Sequence, residues 1–322
     1  MSDEVEKPHI DASPTKEFFI DILVRDISLT DALSDLVDNC IDGALRLRPK
    51  KNYEGLSIEI ELSEGHLVIV DNCGGIPADV AINYAFRFGR PLGTPETKGS
   101  IGQFGVGMKR ALFKVGNHFK IETKAANSTF TLDVDVNEWK KPVMVEGKLK
   151  DLWRFDFEDL DQESTNAPES CGTTLEVTNL HESIVNEFKD QSFFTRLCNR
   201  IREANELNLE NGLSITLRHA DTEKESRLEH SYIRLLRSFQ LKPIYSNYKI
   251  QKESEISVKL YAGVSNISSE EMGWYVFCNG RLVLRADKTK LTGWDESGDI
   301  NTPKPHYQFA RFRGYVFFDC DN

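Results

Sequence analysis

Gly99-Ser100-Ile101-Gly102-Gln103-Phe104-Gly105-Val106-Gly107-Met108-Lys109-Arg110 is the stretch whose reading decides the fold. It places four glycines within nine residues, and an apolar-periodic run, Met108, Ala111, Leu112 and Val115, follows directly. Glycine accepts positive φ and lets backbone approach a ligand closely. A helix starting here turns free N–H groups and the positive end of its dipole toward the loop, an arrangement suited to phosphate. Two common phosphate motifs do not fit. A Walker A loop ends in Gly-Lys-Ser/Thr, whereas Met108 follows Gly107. A dinucleotide fingerprint begins well at Gly105 and Gly107 but fails at Arg110. Taken alone, a glycine-rich turn before a helix is more often a flexible loop than a phosphate site.

Upstream, Thr30 is placed to cap a helix opened by Asp31. Leu33, Leu36, Val37, Cys40, Ile41 and Ala44 share one face, and Asp35, Asp38, Asn39 and Asp42 share the opposite one. This is either a solvated acidic face or a place for a cation. No Lys or Arg lies among the acids before Arg46. Mg²⁺, which takes one or two protein oxygens plus phosphate and water, suits such a stripe. Leu56–Glu61 and His66–Val70 read as a hairpin turning at Ser63-Glu64-Gly65. The second strand runs into Asp71-Asn72-Cys73-Gly74-Gly75-Ile76-Pro77. An Asp at a strand end before glycine turns either aims a carboxylate into a pocket or caps an ordinary turn.

Helices are expected over residues 78–88, with a long glycine-punctuated loop at 89–106 of the kind used as a lid. Strands are expected over 119–124, 129–136, 153–157 and 171–180. One helix is expected over 183–206, and strands again at 213–218, 257–264, 274–278, 281–285 and 314–319, with a short helix near 231–239. Asn279-Gly280 reads as a two-residue hairpin turn.

The chain has 322 residues, net charge −11 and six scattered cysteines without a C-x-x-C pair. The length predicts two domains. The charge argues against coating nucleic acid through an overall field. The cysteines suit reduced thiols of a cytoplasmic protein. No apolar run approaches a membrane span.

Four boxes in order now line up: Asn39-Cys40-Ile41-Asp42 ending an acidic helix, the Asp71-to-Ile76 strand end, the glycine loop, and the Gly172-Thr173-Thr174 strand. Together they resemble the GHKL ATPases, the group of gyrase B, heat-shock chaperones, sensor histidine kinases, MutL and MORC proteins. The loop wording is similar to the chaperone and MORC versions, and the Gly-Thr strand to MutL. The resemblance implies an α+β Bergerat fold, a mixed sheet with helices on one face and ATP between helix and sheet. Under it Asn39 holds Mg²⁺, Asp71 bonds the adenine amino group, and Gly75 and Ile76 shape the adenine pocket. Gly102, Gln103, Phe104, Gly105, Val106 and Gly107 wrap the phosphates, Lys109 contacts a phosphate, and Thr173 supports Asp71. Asp35 falls at the general-base position. There the family carries Glu, so slow turnover is expected; Cys73 replaces the first glycine of the D-x-G-x-G box, so an altered turn is expected.

YVFCNGRLV and FRGYVFFD, around residues 275–283 and 312–319, are similar to the transducer domain of MutL and MORC proteins. In that family a transducer lysine reaches the γ-phosphate from beyond the last of these strands. The expectation is therefore a shortened chain or a protein lacking that lysine, with Lys288 and Lys290 out of position. The implied organisation is an arm at 1–16, an ATP-binding domain at 17–182, a connecting helix at 183–210 and an incomplete transducer-like α/β domain at 211–322. The implied function is an ATP-driven switch with lid closure and an ATP-dependent homodimer, its client (DNA or protein) undetermined. A catalytically weak nucleotide sensor and a protein histidine kinase are the alternatives.

Overall fold

A computed structural model describes residues 13–89, 106–230, 235–251, 255–294 and 303–319. The first part of the chain forms α1 (Lys16–Arg25), α2 (Leu29–Leu47), β1 (Ser57–Leu62), β2 (His66–Asp71) and α3 (Ala78–Val80), which continues as a π-helical turn over Ala81–Ala85. Next come α4 (Gly107–Val115), β3 (Gly116–Ala125), β4 (Ser128–Asp135), α5 (Val136–Trp139), β5 (Val143–Val145), β6 (Lys148–Lys150), β7 (Asp159–Asp161) and β8 (Gly172–Leu180). Then follow α6 (Glu182–Lys189), α7 (Gln191–Ala204), α8 (Glu206–Glu210), β9 (Ser214–His219) and β10 (Lys224–Leu228). The last strands are β11 (Ile244–Gln251), β12 (Glu255–Val264), β13 (Gly273–Cys278), β14 (Arg281–Asp287) and β15 (Phe312–Asp319).

Eight strands form one mixed sheet in the order β10-β9-β1-β2-β8-β3-β4-β7. β1 and β9 run parallel and the other neighbours antiparallel. Period-2 alternation puts Ile58, Ile60 and Leu62, Leu67 and Ile69, Phe119 and Ile121, Leu175 and Val177 on a buried face. Against that face packs the apolar stripe of α2, Leu33, Leu36, Val37, Ile41 and Ala44, together with Ala111 and Leu112 of α4 and Leu197 and Ile201 of α7. Glu59, Glu122 and Asp133 alternate onto the exposed face. The layered α+β architecture is consistent with a GHKL ATPase fold.

The five strands of the second sheet run β11-β12-β15-β13-β14, with β13 and β15 parallel. Cys278 pairs with Arg281 across a two-residue loop. Asn279 (φ 51°) and Gly280 (φ 93°) both take the positive φ that such a turn requires.

Several elements depart from expectation. α2 begins two residues earlier, at Leu29, because Ser28, not Thr30, is the N-cap and its hydroxyl accepts from the Asp31 N–H at 3.1 Å. The helix expected over 183–206 is broken at Asp190, whose carboxylate accepts from the Ser192 N–H at 2.9 Å and caps α7. Residues 153–157 form no strand; Phe155 and Phe157 instead pack edge-on against Phe119 and Phe130. Residues 235–239 are not helical, and 231–234 lie outside the described residues. Residues 214–228, within the span expected to form the second domain, supply β9 and a further strand β10 to the first sheet: Ser57 to Leu62 pair in register with Ser214 to His219. Among the described residues no helix is long and apolar enough to cross a membrane.

Candidate active site

Asp71 occupies the next inward position after Leu67 and Ile69 on β2, so strand periodicity alone turns its carboxylate toward α2. It is 8% exposed. Across the ladder it pairs with Thr173. Burial raises its carboxyl above the usual carboxylate range, against the opposing pull of the Cys73 and Thr173 backbone N–H groups. The Cys73 N–H donates to Oδ1 at 2.7 Å.

The turn after Asp71 needs its glycines at specific places. Gly74 (φ 89°) and Gly75 (φ 69°) are left-handed, whereas Cys73 is not. A Cβ on Gly75 would lie 2.2 Å from the Lys124 carbonyl oxygen, and one on Gly172 would lie 2.0 Å from that of Asp71. Cys73 therefore sits in ordinary backbone with its side chain buried, 1% exposed. The turn expected to be altered by its missing glycine keeps positive φ where the neighbouring two glycines supply it.

Asp71, Gly75, Ile76 and Thr173 line one narrow cavity, about 30 Å³, together with Asn39, Cys40 and Met108. Thr123 joins them. Its hydroxyl accepts from the Ile76 N–H at 2.8 Å and lies 3.2 Å from both the Gly172 carbonyl and the Thr173 hydroxyl. Sequence reading passed over Thr123, although it is the polar residue that continues the inward series Phe119, Ile121 on β3. A wider hollow of about 810 Å³ lies elsewhere, beside α8 and the second sheet, lined among others by Asn208, Lys259, Phe277 and Phe317. It holds none of the predicted site residues.

The acidic residues of α2 are not a solvated face. Asp38 is buried, and Asp35 and Asn39 are half-buried. The Asn39 amide donates Nδ2 to the Asp35 carbonyl at 2.7 Å. That bond engages the nitrogen end of the amide, and the oxygen is its metal-ligating end. A single amide oxygen fits a cation that draws its remaining ligands from phosphate and water, as Mg²⁺ does. Among the described residues no group of three or more His, Cys, Asp or Glu forms a metal cage.

Asp35 is gripped from two directions. Arg110 Nη2 reaches Oδ2 at 2.7 Å, and Arg281 Nη2 lies 3.5 Å from Oδ1. The other Arg281 nitrogen pairs with Asp38. Burial pushes the Asp38 carboxyl up to about 7, with Arg281 pulling the other way. The start of α4 is adjacent: a Cβ on Gly107 would lie 3.3 Å from Asp35 Oδ2. The first N–H groups of α4, Gly107 onward, thus open beside Asp35, in the geometry that receives anions. Val106 is the residue preceding them. Gly102, Gln103, Phe104 and Gly105 lie outside the described residues.

Lys109 is not brought to this cluster. It shares the buried side of α4 with Leu112 and Phe113, is 1% exposed, and donates Nζ to the Ala85 carbonyl at 2.7 Å. The cation on the site side of α4 is Arg110, one residue on. Lys288 likewise points elsewhere, to the Ser269 carbonyl at 3.1 Å.

A narrow cavity thus connects a buried strand-end carboxylate, a glycine turn and an amide-bearing helix, with a helix N-terminus opening beside them. No curated protein matches this sequence. Residues 27–167 match the family model described as histidine kinase-, DNA gyrase B-, and HSP90-like ATPase. The match supports the GHKL superfamily for these residues and, with it, ATP binding and ATP hydrolysis in general.

Proposed function

We propose that this protein is a slow, Mg²⁺-dependent ATPase that works as a conformational switch. Asp71 accepts from the adenine amino group, with Thr173 and Thr123 holding its side of the pocket and Gly75 and Ile76 forming the wall. The observation that carries this reading is the buried Asp71 carboxylate, turned inward by strand register into a cavity whose other walls are Asn39, Gly75, Ile76 and Thr173. The cavity is narrower than a purine, so entry moves flexible apolar lining such as Met108. Phosphates then lie at the start of α4, with Val106, Gly107 and the glycine loop before it.

Asn39 would hold Mg²⁺, which when bound neutralises phosphate charge. Asp35, one helical turn away, orients and deprotonates the attacking water. An Asp reaches less far than Glu by one methylene, and a misplacement of about 1 Å costs on the order of 10²-fold; slow turnover follows. Lid closure by the 89–106 loop, ATP-dependent dimerisation, a transducer role for the second sheet, kinship to MORC or MutL proteins and a cytoplasmic location extend the same reading.

A second reading, a nucleotide sensor with negligible turnover, is favoured by one observation: both oxygens of Asp35 already face guanidinium groups. Calorimetric titration with Mg·ATP, parent beside Asp71→Ala, tests the binding site. Binding by the parent and its loss in the variant are expected; equal binding by both refutes the assignment of Asp71. Phosphate release under saturating ATP separates ATPase from sensor.

A further inference from the structure

The second sheet meets the candidate site through one hairpin. The Asn279-Gly280 turn brings Arg281 to the start of β14. The tip is packed in: Asn279 is 7% exposed, and a Cβ on Gly280 would touch Asn208 Oδ1 of α8 at 3.7 Å. Asn208 is itself held by Asn205 at 3.0 Å, and Asn205 is fully buried. The guanidinium of Arg281 therefore has few directions open to it. It is only 20% exposed and lies between Asp35 and Asp38. A second tie further along β14 joins Arg285 to Glu203 of α7 at 3.1 Å, and that contact is half exposed.

The Arg281 contact has an unusual address. Asp35 is the carboxylate beside the start of α4, and Arg110 takes its other oxygen. Both Asp35 oxygens face guanidinium nitrogens, so a water at either one shares that oxygen with an arginine. Arg281 is thus both a fastening between the two sheets and an occupant of the carboxylate at the candidate site. A guanidinium pairs at least as well with phosphate as with carboxylate, through parallel N–H bonds. A polyphosphate placed at the N-terminus of α4 would compete for it directly.

We propose that Arg281 is a latch: without nucleotide it ties the second sheet to α2 by engaging Asp35 and Asp38, and a bound triphosphate releases it by drawing its guanidinium to the phosphates. Release frees Oδ1 of Asp35 and loosens the 279–285 hairpin from α2 in one movement. The fastening half rests on the ion pairs alone. The release half rests on the ATP reading given above.

Hydrogen exchange by mass spectrometry on the full chain tests both halves, over peptides covering 31–42 and 274–287. Without nucleotide, Arg281→Ala should speed exchange in both peptides by about tenfold or more, since an unpaired buried carboxylate favours local opening. Arg281→Lys keeps the charge without the fork and should fall between. In the wild type, a non-hydrolysable ATP analogue with Mg²⁺ should speed exchange at 274–287, and Arg281→Ala should show no further rise there. Far-UV circular dichroism of both variants checks that they fold; if Arg281→Ala does not, the comparison is made with Arg281→Lys.

Apo exchange within about twofold of wild type in the folded variants overturns the fastening, because breaking it must raise local opening. Unchanged or slower exchange at 274–287 in wild type with calorimetrically verified analogue overturns the release. If calorimetry finds no analogue binding, the ATP reading and the release fall together, while the apo comparison still judges the fastening.

Discussion

Lys109→Met is expected to change how stability responds to pH, and the size can be worked out. Burial brings the Lys109 ammonium down from an ordinary 10.5 to about 8. A displacement of that size corresponds to a penalty of about 3 kcal/mol while the group is charged in both folded and unfolded chains. Below pH 8 the penalty is full. Between about 8 and 10.5 the folded protein has released the proton and the unfolded chain has not, so the unfolded state binds more protons and stability rises with pH. The rise between pH 7 and pH 9.5 should be about 2 kcal/mol relative to a variant that cannot titrate. Methionine also removes the donor to the Ala85 carbonyl. That loss, about 1–3 kcal/mol, does not vary with pH. Urea unfolding followed by fluorescence of the nearby Trp139 and Trp153 would be run on both proteins across that range, without nucleotide. The stability of the wild type minus that of the variant should climb with pH. A flat difference, or one that falls, refutes the assignment of a destabilised ammonium at this position.

Asp35→Glu should raise turnover by about tenfold or more at saturating Mg·ATP by restoring the missing methylene; a fall in phosphate release would count against Asp35 as the base. Gly75→Ala should cost about 3 kcal/mol or more in denaturant unfolding, because both the positive φ and the Lys124 carbonyl oppose a methyl; a cost under about 1 kcal/mol refutes the tight approach described for that turn. Cys73→Gly should lower stability by about 1–2 kcal/mol through lost packing and added chain freedom, and should leave ATP affinity unchanged by calorimetry. A clear gain in affinity would show that the family glycine is needed there after all. Chelation of Mg²⁺ with EDTA should abolish phosphate release and weaken ATP binding; undiminished release would remove Asn39 from its metal-holding role.

The legible parts of the site were those that local period fixes. Asp71 follows Leu67 and Ile69 by twos, so its direction was readable from the strand. The face of α2 that carries Asp35 and Asn39 was readable by 100° steps. A charge on a first helical turn suggests a phosphate contact for Lys109, whereas its spacing from Leu112 and Phe113 puts it on the buried stripe of α4. The same spacing puts Arg110 with Lys114 on the other side. Arg281 could not be found this way, since nothing local ties it to a carboxylate 246 positions earlier. Asp190 broke a helix whose apolar spacing ran on past it, from Phe188 to Phe193 and Phe194. The exchange of β9 and β10 into the first sheet is likewise a long-range pairing that strand propensity does not encode.

That pairing governs how the chain can be made and cut. β1 has its hairpin partner at once but gains its other neighbour only when Ser214–His219 has been synthesised, about 150 residues later. During that interval a nascent chain carries an unsealed row of amides and carbonyls along β1, open to the same strand of a neighbouring polysome product. Translation speed across the intervening helices therefore sets the exposure time. A fragment trimmed to residues 27–167 would keep this flank permanently raw and would also omit β8 with Thr173. The shortest piece that closes the first sheet ends at Leu228.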